Sequence, residues 1–179
     1  MFIGAKTWRR ALPLLLASAA LAGCAASDPA PDWQVNARGG VERALAAYLR
    51  GDTRAEAAEW ALARREMART GRPEQVARVE LNRCAARVAS LDFAPCAAFE
   101  PLRIDAPAPE RAYADYLAGQ LAPADAALLP AQHQAVARGA APPPAAQLAA
   151  IDDPLARLVA AGVLLRPSRA QPDVVALAA

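Results

Sequence analysis

The sequence has few of the residues on which catalysis and metal binding depend. Its 179 residues include one histidine and three cysteines, and aromatic residues make up only 5%. The absence of HExxH and CxxC spacings, of a glycine-rich phosphate loop and of a serine nucleophile elbow excludes the common zinc, nucleotide and hydrolase motifs. We therefore predict a protein that is not an enzyme and has no catalytic, metal or cofactor-binding residues. The alternative is an enzyme whose site is built from Asp, Glu, Arg and Tyr.

Large apolar side chains are also scarce. Hydrophobic residues make up 55% of the chain, but alanine alone accounts for 51 of the 179 residues. Alanine buries little area, and burial stabilises a fold by roughly 25 cal/mol per Å² of apolar surface, so the core is thin. Alanine also has the highest helix propensity, and no segment alternates over the length of a strand. The composition predicts an all-α fold, a small helical-hairpin bundle of five to seven helices.

Excess positive charge is confined to the N-terminus. Lys6, Arg9 and Arg10 precede a short apolar stretch at 12–21, which is the layout of a secretory signal peptide. Without these three cations the 20 basic residues fall to 17, against 18 acidic residues. The remaining chain, with a net charge of −1, has no electrostatic basis for binding nucleic acid, so we predict no nucleic-acid partner.

The apolar stretch ends in Leu21-Ala22-Gly23-Cys24. Together with the basic region before it, this tetrapeptide resembles the lipobox of bacterial lipoproteins. The resemblance covers only the N-terminal two dozen residues. It implies that residues 1–23 are a cleaved signal peptide and that Cys24 carries a diacylglyceryl group and usually an amide-linked acyl chain, such as palmitate. The alternative is an ordinary signal peptide with a chance cysteine.

The lipobox resemblance also implies a cellular location. Several acyl chains on Cys24 give durable anchoring, so we expect a membrane partner through this residue. Ala25, rather than aspartate, follows the cysteine. In the enterobacterial pattern of this family, that residue favours the outer membrane, and we expect the protein to face the periplasm.

The two remaining cysteines, Cys84 and Cys96, predict a disulfide. An even pair of cysteines in an oxidising periplasm is typical of a structural bridge. Metal ligation is the alternative, but two thiolates twelve residues apart lack a CxxC motif and a nearby histidine. A bridge closing a loop of about 13 residues contributes on the order of 3 kcal/mol, which is large for a thin core.

The distribution of prolines divides the mature chain. Residues 24–32 are a lipidated tether, and 33–100 form a helical hairpin core with the disulfide. Twelve of the sixteen prolines lie from position 95 onward. We therefore predict that residues 101–179 form a helical half that is interrupted by prolines and packs on the core. In the first half we expect a helix at 33–50, a second that begins with a capping box at Thr53–Glu56, and a third from Pro73 to about Leu91. In the second half we expect helices at 109–119, 123–138, 144–150, 154–165 and 171–178. The helix at 123–138 is kinked or split at Pro130, and the one at 154–165 is capped by Asp152 and Asp153.

The first helical hairpin is similar to part of a tetratricopeptide repeat. Five positions carry the resemblance, which covers about 30 residues, and Glu56 departs from the pattern where a small alanine is typical. No second copy follows at a 34-residue period. The matching residues are Tyr48, Gly51, Asp52, Trp60 and Ala63.

Charged residues in the helical core are interpreted as solvated. Glu74 and Arg78 have the spacing of an i, i+4 pair, and Glu56 and Glu59 share one helix face. The arginines of the second and third helices alternate with glutamates, which indicates a salt-bridged surface rather than a basic patch. We expect the single histidine, His133, to be exposed on a polar helix.

Two functional hypotheses follow from these observations. The first is a lipid-anchored envelope protein that acts as a non-enzymatic interaction or scaffold module, with a protein partner of unknown identity. The second is a periplasmic inhibitor or protective protein that blocks an envelope enzyme through the loop at 92–109.

Overall fold

The computed structural model describes residues 29–139 and 144–166. The predicted signal peptide, Cys24 and the expected helix at 171–178 lie outside the described residues. The helices described below all belong to one compact unit that begins at Asp32.

Helices account for the regular structure throughout the described ranges, which contain no strand, so the all-α prediction is confirmed. In these ranges the chain forms three long helices, a proline-rich connection and four shorter helices. The α-helices are α1 Asp32–Leu49, α2 Thr53–Ala68, α3 Pro73–Ala89, α4 Ala108–Leu117, α5 Ala131–Arg138, α6 Pro144–Ala149 and α7 Pro154–Leu165, with 3-10 segments at Glu100–Leu102 and Pro123–Leu128.

Side-chain caps fix where two of these helices begin. Asp153 accepts a hydrogen bond from the backbone N–H of Ala156 at 2.6 Å and starts α7. At α2 the predicted capping box is wrong by one residue, because Asp52 rather than Thr53 accepts from Ala55 N, at 3.0 Å. The carboxylate of Asp52 is the better acceptor because its negative charge also favours the positive end of the helix dipole.

Helix α3 lies at the centre of the main core. It packs against α2, α4 and α7, and its apolar face is buried by side chains from α4, α7 and the connection after the disulfide. Phe99, Tyr116 and Leu117 are the largest fully buried side chains of this core. These few bulky residues fill the space that the alanines leave.

Two glycines bring helix backbones into direct contact. A Cβ atom on Gly162 of α7 would overlap the backbone carbonyl oxygen of Val88 on α3. A Cβ atom on Gly40 of α1 would lie 3.2 Å from Ala63 Cβ on α2, which is a tight contact. The absence of a side chain at 162 therefore sets how closely α7 approaches α3.

The predicted disulfide is confirmed. Cys84 on α3 and Cys96 on the following connection are bonded, with their Cα atoms 5.6 Å apart. Phe93 and Phe99 flank the bridge, and both pack into the same core as Cys84. The bridge thus fastens the start of the proline-rich connection to the central helix.

We predict that the Cys84→Ala/Cys96→Ala variant has a melting temperature lower by roughly 5–10 °C. The bridge closes a loop with a sequence separation of 12 residues, and its loss costs about 3 kcal/mol through the entropy of the unfolded chain. The measurement is thermal unfolding followed by circular dichroism. Reducing the wild-type protein should give the same shift, and unchanged melting in both cases would contradict a stabilising bridge.

We predict that Gly162→Ala destabilises the protein by about 1–3 kcal/mol, because the added methyl group forces α7 away from α3. The matched control is Gly39→Ala, whose methyl group would meet only the flexible Arg43 guanidinium, at 3.0 Å. Gly39→Ala should be neutral or stabilising by up to about 1 kcal/mol. Urea denaturation checks both, and equal effects would contradict the close approach.

Candidate functional site

A cleft of about 430 Å³ opens between α3, α4 and the chain that leads into α5. We call it the α3–α4 cleft. Because α3 and α4 are neighbours in the core, residues 32 positions apart in the sequence meet at its rim. The cleft is lined by Arg78, Leu81 and Asn82 of α3, Pro109, Glu110 and Tyr113 of α4, and Leu128, Leu129 and Pro130.

An ion pair lies on the polar side of the cleft. Arg78 Nε donates to Glu110 Oε1 at 2.6 Å, and the Glu110 side chain is 7% exposed whereas that of Arg78 is 55% exposed. The second oxygen, Glu110 Oε2, is buried and has no hydrogen-bond partner among the described residues. The predicted pairing of Arg78 with Glu74 is therefore wrong, because a buried carboxylate on α4 holds this guanidinium instead.

The rest of the cleft lining is mainly apolar. Leu81 and Leu129 are buried in the core, and Leu128 remains partly exposed. Tyr113 also lines the cleft, and burial raises the pKa of its phenol to about 12. Its hydroxyl is therefore neutral at physiological pH and able to donate a hydrogen bond.

An aromatic cluster lies behind Tyr113. The Tyr113 and His133 ring centroids are 5.7 Å apart, and Tyr116 Oη lies 3.4 Å from His133 Nδ1. His133 is only 2% exposed, so the expectation of an exposed histidine is wrong. The residue faces inward because α5 turns this side of the helix toward Tyr113 and Tyr116. A buried imidazole is tolerated here because it is neutral and lies against a phenol hydroxyl.

The arrangement combines a cation, a carboxylate oxygen without a partner and an apolar wall in one cleft. These groups suit binding of a small amphiphilic ligand. Sequence reasoning missed the cleft because Arg78 and Glu110 are far apart in the sequence and each resembles an ordinary surface charge. One available signal was the spacing of Glu110, Tyr113, Ala114 and Leu117 at i, i+3, i+4 and i+7, which places the glutamate on the apolar face of this helix.

Three other arginines on or next to α2 and α3 pair with glutamates, as the prediction of a salt-bridged surface requires. Arg64 pairs with Glu80, and Arg69 with Glu66 at 3.2 Å. Glu56 is buried and lies 3.8 Å from Arg83. The interpretation of Glu56 as solvated is therefore wrong, because α3 covers this face of α2.

A second concave surface is almost entirely apolar. We call it the α1–α3–α7 groove, and its volume is about 300 Å³. Three leucines at its rim are exposed, Leu49 by 81%, Leu155 by 40% and Leu158 by 42%. Among the residues that the structure describes, no charged side chain lines this groove. Its lining residues are Leu45, Tyr48, Leu49, Ala86, Ala89, Ser90, Pro154, Leu155 and Leu158.

Comparison with known proteins identifies no relative. No protein-family model, no curated protein and no solved structure matches the chain. Within 29–139 and 144–166, no helix is long and apolar enough to cross a membrane. The same ranges contain no cluster of three or more potential metal ligands.

We predict that His133 titrates with a pKa near 4 in the folded protein. Burial lowers its pKa to about 4, and the Asp153 carboxylate opposes this shift. The unfolded chain, with a pKa of about 6.5, takes up this proton first. Stability is therefore unaffected by this residue above pH 6.5 and falls by about 3 kcal/mol in total as the pH drops to about 4.

The single histidine makes this titration directly measurable. In untagged protein, one imidazole resonance in the NMR spectrum reports its protonation. The His133→Gln variant should lose the part of the pH dependence of stability that falls between pH 6.5 and 4. A wild-type midpoint near 6.5 would contradict the buried, neutral state.

Proposed function

We propose that this protein is a lipid-anchored component of the cell envelope that acts as a non-enzymatic interaction module and binds a protein partner in the α1–α3–α7 groove. The observation that carries the proposal is the convergence of exposed leucines from α1 and α7 on one apolar groove. The proposed anchor is Cys24, on the outer membrane and facing the periplasm, in keeping with the lipobox resemblance.

The chemistry of the groove favours an amphipathic helix as the bound segment. Its lining offers only the hydroxyls of Tyr48 and Ser90 as polar side-chain groups. An extended peptide would bury its own backbone amides against this apolar lining, which offers them few side-chain partners. A helix satisfies its backbone internally and presents leucine-sized side chains to the groove.

The position of the groove favours a protein over the anchoring bilayer. The proposed tether would join the domain at Asp32, the first residue of α1, and Leu49 is the last residue of that helix. Eighteen residues of α-helix place the two ends about 26 Å apart. The groove therefore lies at the end of α1 that is distant from the tether.

We predict that a photo-crosslinking residue at Leu49 captures a partner through an amphipathic helix. The crosslinked peptide, identified by mass spectrometry, should carry apolar residues at i, i+3 or i+4, and i+7. Adding Leu158→Ser should reduce capture by roughly tenfold, since it places a hydroxyl in the apolar groove. The same crosslinker at Ile104, which is 87% exposed and outside the groove, is the matched control.

Comparing capture at Leu49 with capture at Ile104 shows which surface binds the partner. Capture at Leu49 alone supports the groove, whereas capture at neither position, or capture unaffected by Leu158→Ser, would contradict the proposal. A soluble Cys24→Ser form with another signal peptide tests the anchor. A partner captured only by the lipidated form would mean that binding requires attachment of the protein to the membrane.

A specific observation also favours the second candidate, an inhibitor that acts through the loop at 92–109. Ile104 projects from this loop, and Arg103 beside it binds Glu100 at 2.9 Å and Asp115 at 2.9 Å. The disulfide at Cys96 braces the start of the loop. A rigid loop that holds an exposed apolar side chain suits insertion into a pocket of an enzyme. Capture at Ile104 and not at Leu49 would favour this function.

A further inference from the structure

We propose that the α3–α4 cleft is a ligand site for an apolar α-amino-acid unit with a free carboxylate, as found at the C-terminus of a peptide or in a free amino acid. The cleft is separate from the groove of the proposed function and shares no lining residue with it. Three groups of the cleft define this ligand chemistry.

The first group is the buried carboxylate. Glu110 is 6% exposed, and its Oε1 is used by Arg78, while Oε2 is buried and has no hydrogen-bond partner within 29–139 and 144–166. A buried charged oxygen without a hydrogen bond is costly and is normally matched by a protein group, a water or a ligand. An N–H group of a ligand, either a peptide amide or an ammonium, supplies the missing donor.

The second group is the guanidinium of Arg78. Only its Nε is used by Glu110, and its terminal nitrogens have no partner among the described residues. These nitrogens form the fork that matches a carboxylate with two parallel hydrogen bonds. A ligand that offers both an N–H group and a carboxylate on neighbouring atoms fits the two ends of this ion pair at once.

The third group is the apolar wall. Leu81, Leu128 and Leu129 line the cleft together with the Tyr113 ring, and Leu81 and Tyr113 lie one helical turn from Arg78 and Glu110. A side chain of leucine or phenylalanine size would be buried against them. The volume of about 430 Å³ lies within the range of small-ligand sites.

The test is titration calorimetry on the full-length mature protein, with Gly-Gly-Leu, free leucine and leucinamide as probes. We expect Gly-Gly-Leu or leucine to bind with a Kd below about 1 mM, and leucinamide, which lacks the carboxylate, to bind at least roughly tenfold more weakly. Binding of the peptide alone identifies a chain terminus as the ligand, whereas binding of leucine identifies a free amino acid.

Two variants remove the recognition groups one at a time. Glu110→Gln can still accept from Arg78 but replaces one oxygen by an amide, and Arg78→Gln removes the fork. Each should weaken binding by roughly tenfold. The matched control is Glu80→Gln, because Glu80 is 8% exposed, pairs with Arg64 and does not line the cleft. The control should bind like the wild type.

A measurement on the wild-type protein tests the proposal even if the variants fail to fold. In the NMR spectrum, methyl groups of bound ligand should show contacts to the Tyr113 ring. The proposal is overturned if none of the probes binds, if leucinamide binds as well as leucine and Gly-Gly-Leu, or if folded Glu110→Gln and Arg78→Gln proteins bind like the control.

Discussion

The backbone of α7 lies directly on the backbone of α3, and the position of α7 in the fold depends on this contact. It exists because Gly162 has no side chain where the carbonyl of Val88 lies. The contact carries Val159 and Val163 into the main core. It also brings the N-terminal end of α7 beside the C-terminal ends of α1 and α3, which forms the apolar groove. In an alanine-rich protein such close approach is essential, because short side chains make contact only when backbones are near each other.

A thin core also explains the distribution of charge. Four glutamates, Glu56, Glu66, Glu80 and Glu110, are buried, and each lies beside a more exposed arginine. Long arginine stems bury apolar surface while their charges pair with these carboxylates. A buried pair contributes little net stability, but removing one partner is costly. The charges therefore restrict which helix faces can meet more than they strengthen the fold. Glu110 differs because one of its buried oxygens has no hydrogen-bond partner in the part of the chain that the structure describes.

Most helices were predictable from sequence because local signals define them. The range 154–165 agrees with α7, since Asp153, Pro154 and the apolar periodicity act within one segment. The break at Pro130 and the Cys84–Cys96 bridge were predictable for the same reason. The burial of His133 and the pairing of Arg78 with Glu110 were not. Both depend on how α4 and α5 approach other elements, and in a sequence where alanine dominates every helix face, hydrophobic periodicity does not indicate which face is covered.

Lipid anchoring and a modest binding surface are compatible in physical terms. A groove of about 300 Å³ buries few side chains, so the affinity that it supplies for a single helix is limited. Confinement to one membrane raises the local concentration of a partner and replaces part of the entropy cost of association. The proposed anchor at Cys24 would therefore allow a small apolar groove to act as a docking site without the large interface that two freely diffusing proteins require. A groove at the end of α1 distant from the tether would also remain accessible while the chain is attached to the bilayer.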